Sequence, residues 1–262
     1  MRIVVCIKQV PASTGVSLDP ETKTLRREGA EAIMNPFDTY ALEQGVLLKE
    51  AHGGEVIALS MGPLRAEAAL REALSCGADR AVLLNDRAFA GSDTWATSYV
   101  LAAAIRRIGE VELVICGRQA IDGDTAQVGP GLAGHLGWPQ LTHVCALEES
   151  GGKSLTLRRM QEEGYDLCGL ELPAVITVVK DINQPRIPSL KSRLASKKAE
   201  IPVWSAADLG VETEKLGLAG SPTRVVKIHP APCRQKQTLL IEGEAAECAQ
   251  RLVRELRSRL LL

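Results

Sequence analysis

The sequence has 262 residues, a hydrophobic content of 45% and a formal net charge of −1 at pH 7, with an isoelectric point near 6.5. A chain of this size can bury a sizeable core, and its near-neutral charge argues against a nucleic-acid-binding surface. No apolar run approaches the ~18–20 residues of a membrane span, and the first apolar run is too short for a signal peptide, so we expect a cytoplasmic protein.

Through the first half of the chain, apolar runs typical of buried parallel strands alternate with segments that repeat apolar residues every three or four positions. The helix signals at Pro63, a first-turn proline, and at Gly77, a stop, agree with this reading. The alternation predicts an α/β fold with a doubly wound parallel sheet, which binds ligands at the carboxyl ends of its strands. The predicted strands are residues 3–7, 56–60, 81–84 and 113–116, and the predicted helices are residues 37–51, 63–75, 93–108 and 127–136.

After about residue 139 the pattern changes to short strands separated by Gly-rich or charged turns, which predicts an antiparallel extension. These strands are residues 142–147, 154–159, 165–170 and 174–179.

The rest of the chain predicts an arm. Residues 182–199 are basic and lack a clean period, and residues 201–237 have many breakers and little regular pattern. Because so long an irregular stretch is hard to leave exposed in one compact domain, we interpret it as an arm lying on another subunit. Residues 244–262 predict a final amphipathic helix with Cys248, Leu252, Leu256 and Leu260 on one face. We therefore expect a nucleotide-binding α/β domain at residues 1–181 and a partner-binding arm with a C-terminal helix at residues 182–262.

The most informative segment is residues 116–130, which follow a predicted strand. Its small residues, such as Gly123 and Ala126, let the backbone approach a ligand, and its Asp and Thr residues are natural helix caps. Because Pro130 is tolerated only in a first helical turn, the helix must begin at about residues 125–127. The free N–H groups of a helix start attract anions, usually phosphate. The segment predicts a phosphate site, although an ordinary capped helix explains the same residues.

Several other kinds of site are excluded or disfavoured. Lys8 is followed by Gln-Val-Pro, which excludes a G-x-G-x-x-G dinucleotide turn and a P-loop at this position. The Ser-Gly-Gly loop of ATP pyrophosphatases is also absent from this position. The seven cysteines are odd in number and have no C-x-x-C spacing, so we expect small buried hydrophobes rather than disulfides. The four histidines are scattered, and no metal site is expected.

Together with the 116–130 loop, five motifs in order and spacing resemble the beta subunit of electron transfer flavoproteins over nearly the whole chain. The motifs are Met-Asn-Pro-Phe-Asp at 34–38, Met-Gly-Pro at 61–63, Gly-Ala-Asp at 77–79, Leu-Pro-Ala-Val at 172–175 and Asn-Gln-Pro-Arg at 183–186. The resemblance implies an adenine-nucleotide alpha-hydrolase-like sheet and an electron-transfer role. It also implies a heterodimer with an alpha subunit that carries another FAD.

The resemblance also bears on the cofactor. Ordinary members of the family carry AMP in the beta subunit, whereas electron-bifurcating members carry a second FAD. Residues 123–130, Asp93-Thr94 with Ala96-Thr97-Ser98, and residues 220–223 resemble the bifurcating type. The resemblance therefore implies FAD, with AMP as the alternative, and bifurcation with NADH as a transient donor. Because aromatic residues make up only 3% of the chain, backbone groups, hydroxyls and a partner surface would have to orient the flavin.

The cofactor-binding set implied by the resemblance contains no catalytic acid, base or nucleophile. Arg118 is the best-placed cation for an anionic flavin. The set is Cys6, Asn35, Asp38, Met61, Asp93, Thr94, Thr97, Gly117, Arg118, Gln119, Gly123, Asp124, Thr125, Ala126, Gln127, Val128 and Gly129.

Leu190 is predicted to bind a partner. It is the central apolar residue of the basic segment 187–198 and matches the family's partner-recognition loop in its position after the motif at 183–186. The implied partner is an acyl-CoA dehydrogenase or a similar flavin-dependent oxidoreductase. The alternative is that this segment only fastens the subunit to its larger sibling. For the whole chain, the alternatives are an ordinary beta subunit with structural AMP and a non-redox nucleotide sensor of the universal-stress type.

Overall fold

The computed structural model describes residues 1–12, 32–226 and 238–261. By their internal contacts the described residues fall into two units, Met1–Val225 and Val226–Leu262. The predicted division into residues 1–181 and residues 182–262 stays a prediction.

The larger unit is built from strands and helices that alternate along the chain. The strands are β1 (Arg2–Cys6), β2 (Gln9–Pro11), β3 (Ala32–Met34), β4 (Glu55–Met61), β5 (Arg80–Leu84), β6 (Leu113–Gly117), β7 (Gln140–Gly151), β8 (Ser154–Gln161), β9 (Gly164–Glu171), β10 (Ala174–Val178) and β11 (Val203–Trp204). Its helices are α1 (Pro36–His52), α2 (Glu67–Ser75), α3 (Thr94–Ile108), α4 (Val128–Leu136), α5 (Leu190–Lys198) and α6 (Ala206–Leu209).

Among the described residues, nine strands form one sheet in the order β11-β5-β4-β1-β6-β10-β7-β8-β9. Strand β1 is fourth in this order and is parallel to both neighbours, with Val4 opposite Ile57 of β4 and Val114 of β6. A parallel sheet of this kind is buried on both faces, which explains why its strands are continuous apolar runs. The doubly wound α/β fold is confirmed.

Successive residues of β1 enter different cores, because side chains alternate across a strand. Ile3 and Val5 belong to the cluster that α1 and α2 cover, whereas Val4 belongs to the cluster that α3 and α4 cover. Both clusters lie within the described part of the chain, and all three of these side chains are fully buried. Helices therefore pack on both faces of the sheet.

The antiparallel extension is confirmed for β7, β8 and β9 but not for the fourth predicted strand. Strand β10 lies between β6 and β7 and is parallel to both. A short apolar run does not show whether a strand pairs in a hairpin or enters the sheet by a crossover, because both kinds of strand have the same local pattern. The order of the strands is a tertiary property.

Residues 201–225, interpreted as an arm on another subunit, pack on their own chain, and their contact with another subunit stays a prediction. Val203 pairs with Leu83, so that β11 extends the edge of the sheet, and Ser205 begins α6 with a capping box that involves Asp208. Farther along, the Leu218 N–H donates to the Ala90 carbonyl over 3.2 Å. Residues 227–237 of the predicted arm lie outside the described residues.

Two further sequence predictions need correction. The basic segment after residue 182 contains a helix, α5, which Ser189 caps by accepting the Ser192 N–H over 3.1 Å. Helix α2 begins at Glu67 rather than at Pro63, because a 3₁₀ turn over Leu64–Ala66 intervenes.

In the smaller unit, helix α7 (Ala245–Ser258) confirms the predicted C-terminal amphipathic helix. Its apolar side includes the exposed residues Leu252 and Val253. None of the helices in the described residues is long and apolar enough to cross a membrane.

Candidate functional site

The predicted site lies where the carboxyl ends of β1, β6 and β10 meet. Cys6 at the end of β1 is opposite Cys116, and Gly117 at the end of β6 is opposite Val178. The loop at 118–127 leaves this edge and leads into α4, so the fold brings Cys6 together with Gly117 and the residues that follow it. Met61, the last residue of β4, lies on the other side of β1 and is half-buried.

Asn35 attaches this loop to the start of α1. Its Nδ2 donates to Asp38 Oδ1 and to the Gln119 carbonyl, both over 2.9 Å, and its Oδ1 accepts the Ile121 N–H over 3.2 Å. The residue is almost fully buried. The side chain of Asn35 therefore supports the loop from within, and a direct contact with a ligand stays a prediction.

Asp38 has the same supporting position. Its carboxylate accepts the Lys8 N–H over 2.7 Å as well as the Asn35 amide. Burial raises the pKa of Asp38 to about 7, although the hydrogen bonds from Asn35 and Lys8 oppose this shift. Asp38 is thus a buried carboxyl group that connects β1, α1 and β6 beneath the loop.

The loop has two left-handed residues, Asp124 with φ 57° and Ala126 with φ 55°. Non-glycine residues rarely adopt this conformation, and it is concentrated at ligand sites and switches. The predicted helix start at about residues 125–127 differs by one residue from the observed start: α4 begins at Val128, with Gln127 as the flanking residue and Pro130 inside the first turn.

The predicted capping by the Asp and Thr of this loop is also wrong. Among the described residues, no side chain caps the N–H groups at the start of α4. The Asp124 side chain instead accepts a hydrogen bond from Gln119. Uncapped N–H groups at a helix start suit an anion.

The glycines of the loop serve different purposes. A Cβ on Gly117 would collide with Asp38, and a Cβ on Gly129 would collide with the Thr177 methyl group. A Cβ on Gly123 would have no atom within 4 Å. Close packing inside the protein therefore accounts for Gly117 and Gly129, whereas Gly123 faces open space.

Each charged side chain of the loop, Arg118, Asp122 and Asp124, has a polar partner. Lys8 Nζ lies 2.7 Å from Asp122 Oδ1. Arg118 Nε donates to Gln119 Oε1 over 2.6 Å, and its guanidinium carbon lies 5.7 Å from the centre of the Phe37 ring. Lys8 was not among the predicted site residues. Its place directly after the first strand was the only sequence signal for it.

Helix α3 starts beside this loop. Asp93 caps the helix by accepting the Trp95 and Ala96 N–H groups over 3.0 and 3.1 Å. The other oxygen of Asp93 accepts both the N–H and the hydroxyl of Thr223, over 2.9 and 2.8 Å. Asp93 therefore fastens the segment at 220–223 to the helix start.

The same helix start reaches the loop. Thr94 Oγ1 donates to Gln127 Oε1 over 3.1 Å, which confirms that Thr94 lies at the same sheet edge as the loop. Thr97 lies one turn along α3 and is half-buried.

His143 is a neighbour of the site that sequence reasoning missed. It lies at an irregularity in the pairing of β7 with β10, has φ 57°, and its N–H donates to Thr177 Oγ1 over 3.2 Å. Burial and the positive charges of Arg118 and Arg159 lower its pKa. Nothing in the sequence pattern marks this residue, because an isolated histidine in a strand has many structural explanations.

Leu190 is not brought to this site. It lies at the start of α5, which is attached to α2 through Arg71, and its side chain is 75% exposed. The six cysteines among the described residues are unpaired, and Cys233 lies outside those residues.

Comparison with known proteins identifies close relatives over the whole length. The family model described as "Electron transfer flavoprotein domain" matches residues 22–209. The chain is 48% identical to the electron transfer flavoprotein subunit beta of Thermoanaerobacterium thermosaccharolyticum, with 99% of each chain covered. It is 45% identical to protein FixA of Azorhizobium caulinodans, covering 98% of this chain and 94% of FixA. It is also 43% identical to the caffeyl-CoA reductase-Etf complex subunit CarD of Acetobacterium woodii, with 99% of each chain covered.

Proposed function

The chain belongs to the electron transfer flavoprotein family, and on that premise we propose that it is the beta-type subunit of a heterodimer and binds FAD at the loop at 118–127. Its role is electron transfer. The sibling subunit in this proposal is an electron transfer flavoprotein alpha subunit, and the location is the cytoplasm.

The uncapped start of α4 carries the proposal. Its free N–H groups follow a loop with two left-handed residues, and Gly123 borders open space. This arrangement fits a phosphate or pyrophosphate group, because backbone N–H groups and small residues allow close approach of an anion. The residues present therefore fit the phosphate-bearing part of FAD.

The residues of this chain would bind and orient the cofactor. The N–H groups from Gly123 to Gly129 would hold the pyrophosphate, and the hydroxyls of Thr94 and Thr97 are available at the neighbouring helix start. Arg118 supplies a positive charge at the end of β6. A bound flavin supplies the electron-transfer chemistry, and this chain supplies binding and electrostatics.

Flavin-based bifurcation from NADH is the finer part of the proposal. It is supported by the likeness to CarD, which is named as a subunit of a caffeyl-CoA reductase-Etf complex, and by the loop residues that leave room for a dinucleotide. An ordinary beta subunit with AMP is the second candidate, since AMP also presents a phosphate to the same N–H groups.

The electron-transfer partner is proposed to bind at Leu190. The exposed apolar residues Leu190 and Leu194 lie four positions apart in α5, so they share a helix face. Exposed basic residues surround them, including Lys191 and Arg193. This combination suits an acyl-CoA dehydrogenase, or a similar flavin-dependent oxidoreductase, with an acidic rim around an apolar pocket.

A flavin count tests the proposal. The chain is co-expressed with its alpha subunit, and flavin and AMP are quantified after denaturation of the purified heterodimer. Two FAD molecules per heterodimer support the FAD proposal. One FAD and one AMP per heterodimer would establish the ordinary type instead, and the absence of any nucleotide bound to this subunit would refute both.

A further inference from the structure

Helix α5 is an exposed element fixed at both ends. The helix and the residues just before it present Ile187, Leu190 and Leu194, whose exposed fractions are 89%, 75% and 54%. If this segment were mobile, its exposed apolar side chains would have to be ordered whenever a partner binds, and that ordering costs conformational entropy. The contacts at the two ends of α5 bear directly on that cost.

At the amino end, Arg186 joins the segment to α1. Its Nε and Nη2 donate to the two oxygens of Glu43, each over 2.9 Å, and its Nη1 donates to Glu50 over 2.7 Å. The Arg186 N–H also donates to Glu43, over 3.1 Å. Three residues earlier, the Asn183 amide donates to the Tyr40 carbonyl over 3.0 Å.

These contacts are specific to arginine. The Glu43 side chain is only 7% exposed, so its carboxylate needs a cationic partner. The planar guanidinium of arginine can donate hydrogen bonds to two carboxylates at once. The two carboxylates raise the pKa of Arg186, and the hydrogen bond from Arg186 lowers the pKa of Glu50.

At the carboxyl end, Arg71 of α2 binds the last turn of α5. Its Nη1 donates to the carbonyls of Ser196, Lys197 and Ala199 over 2.6, 3.0 and 3.3 Å. Its Nε donates to Glu67 over 2.7 Å, which fixes the guanidinium. The contact satisfies carbonyls that a helix end leaves unpaired and places a cation at the negative end of the helix dipole.

We propose that Arg71 and Arg186 are positioning residues, which hold residues 187–198 in the conformation that the electron-transfer partner binds. This inference rests on the proposed partner site at Leu190. The partner is a redox protein with an acidic surface, because the exposed side chains of Lys191, Arg193, Lys197 and Lys198 give the segment a positive charge. By ordering the segment beforehand, the two arginines reduce the entropy lost on binding.

Lysine variants provide the test, because they preserve the charge and therefore the electrostatic attraction. In Arg71→Lys and Arg186→Lys, one ammonium group cannot reproduce the forked contacts. The matched control is Arg65→Lys, at an exposed arginine just before α2 that lies outside the segment. All variants are studied as the assembled heterodimer, with cofactor content and assembly measured first.

Two measurements are made on each variant. Hydrogen–deuterium exchange of the amides at 190–198 should accelerate about tenfold in Arg71→Lys and Arg186→Lys and stay unchanged in Arg65→Lys. The KM for a purified acyl-CoA dehydrogenase should rise about fivefold with kcat unchanged, because only the ordering cost differs.

The outcomes separate this inference from the proposed partner site. If Leu190→Ala raises the KM but neither lysine variant does, the partner site stands and the positioning role is wrong. If Leu190→Ala leaves the KM unchanged, the partner site itself is wrong and the inference fails with it. Unchanged exchange at 190–198 in both lysine variants also overturns the inference. If the Arg186→Lys variant fails to assemble, the double variant Arg186→Met/Glu43→Gln replaces it, because this variant removes the buried Glu43 charge together with the arginine that pairs with it.

Discussion

The ammonium group of Lys8 lies 2.7 Å from the carboxylate of Asp122, across 114 positions of the sequence. The pair joins the segment that follows β1 to the loop at 118–127. Because the loop also contains Asp124, an unpaired Asp122 would place further negative charge beside the proposed anion site. Lys8 neutralises that charge, and the Gln119 amide bonds to Asp124.

Lys8→Met should therefore weaken binding of FAD to this subunit. With Asp122 unpaired near the pyrophosphate, we expect the Kd to rise by about three- to tenfold at low salt, and less at high salt. Fluorescence titration of the flavin-depleted heterodimer measures the change. Lys153→Met is the control, since Lys153 lies at the opposite edge of the sheet, beside Leu172. Equal affinities of the two variants would contradict the electrostatic role of Lys8.

Gly123→Glu should expel FAD without disturbing the fold, and Gly123→Glu/Ala126→Glu more completely. A Cβ at residue 123 would meet no protein atom within 4 Å, so we expect the free energy of unfolding to change by less than about 1 kcal/mol. The added carboxylate repels the pyrophosphate and should reduce flavin content by more than about tenfold. Gly151→Glu, in the β7–β8 hairpin, is the matched control because its Cβ also has no neighbour within 4 Å. Unchanged flavin content in the double variant would refute the assignment.

Arg118→Ala should lower the reduction potential of the flavin bound to this subunit. A cation near the ring stabilises the reduced anion, and Arg118 is half-buried beside Phe37. Potentiometry of the heterodimer measures both flavins separately. A shift confined to the flavin of the alpha subunit would show that Arg118 does not act on the proposed site.

Leu190→Ala should slow electron transfer to the partner while both flavins and the heterodimer remain intact. Loss of an apolar anchor costs about 1–2 kcal/mol of binding, or about five- to thirtyfold in KM for the dehydrogenase. Leu167→Ala provides the control, since Leu167 of β9 is 65% exposed but lies outside α5. If assembly of the heterodimer fails instead, the segment fastens the two subunits and the docking assignment is wrong.

Asp38 should make the protein less stable as the pH rises from about 4 to about 7. Because its folded-state pKa of about 7 lies above the ordinary carboxyl value, the folded state binds this proton more tightly than the unfolded chain. This stabilisation is fully present below about pH 4 and is lost as the pH approaches 7. The total loss in the free energy of unfolding is roughly 4 kcal/mol.

The free energy of unfolding of Asp38→Asn, measured with denaturant, should decline less between about pH 4 and about pH 7 than that of the wild type. Asp86→Asn is the control, because backbone hydrogen bonds from Ala88 and Ala206 lower the pKa of Asp86. The contribution of Asp86 is present at neutral pH and is lost only as the pH falls below about 4. Parallel pH profiles of the wild type and Asp38→Asn would contradict the buried, raised-pKa assignment.

Some of the site could be predicted from sequence and some could not. Thr94 and the loop before Pro130 were correctly placed at one sheet edge, because strand–helix alternation brings the carboxyl ends of parallel strands together. The supporting contacts of Asn35 with Gln119 and of Lys8 with Asp122 were not foreseen. They join residues 84 and 114 positions apart, and no local pattern records such a pairing.

The sequence by itself determined many of the local elements of this protein. Apolar runs specified β1, β4, β5 and β6, and the three-to-four spacing specified α1, α3 and α7, because periodicity reports which side of a segment is buried. The tertiary structure alone decided where β10 and β11 enter the sheet. It also decided that residues 190–198 form the helix α5, which Arg186 fastens at its amino end and Arg71 of α2 at its carboxyl end. It also left the start of α4 without a side-chain cap. These features depend on contacts between distant segments, whose free energies outweigh the weak local preferences of short or breaker-rich stretches.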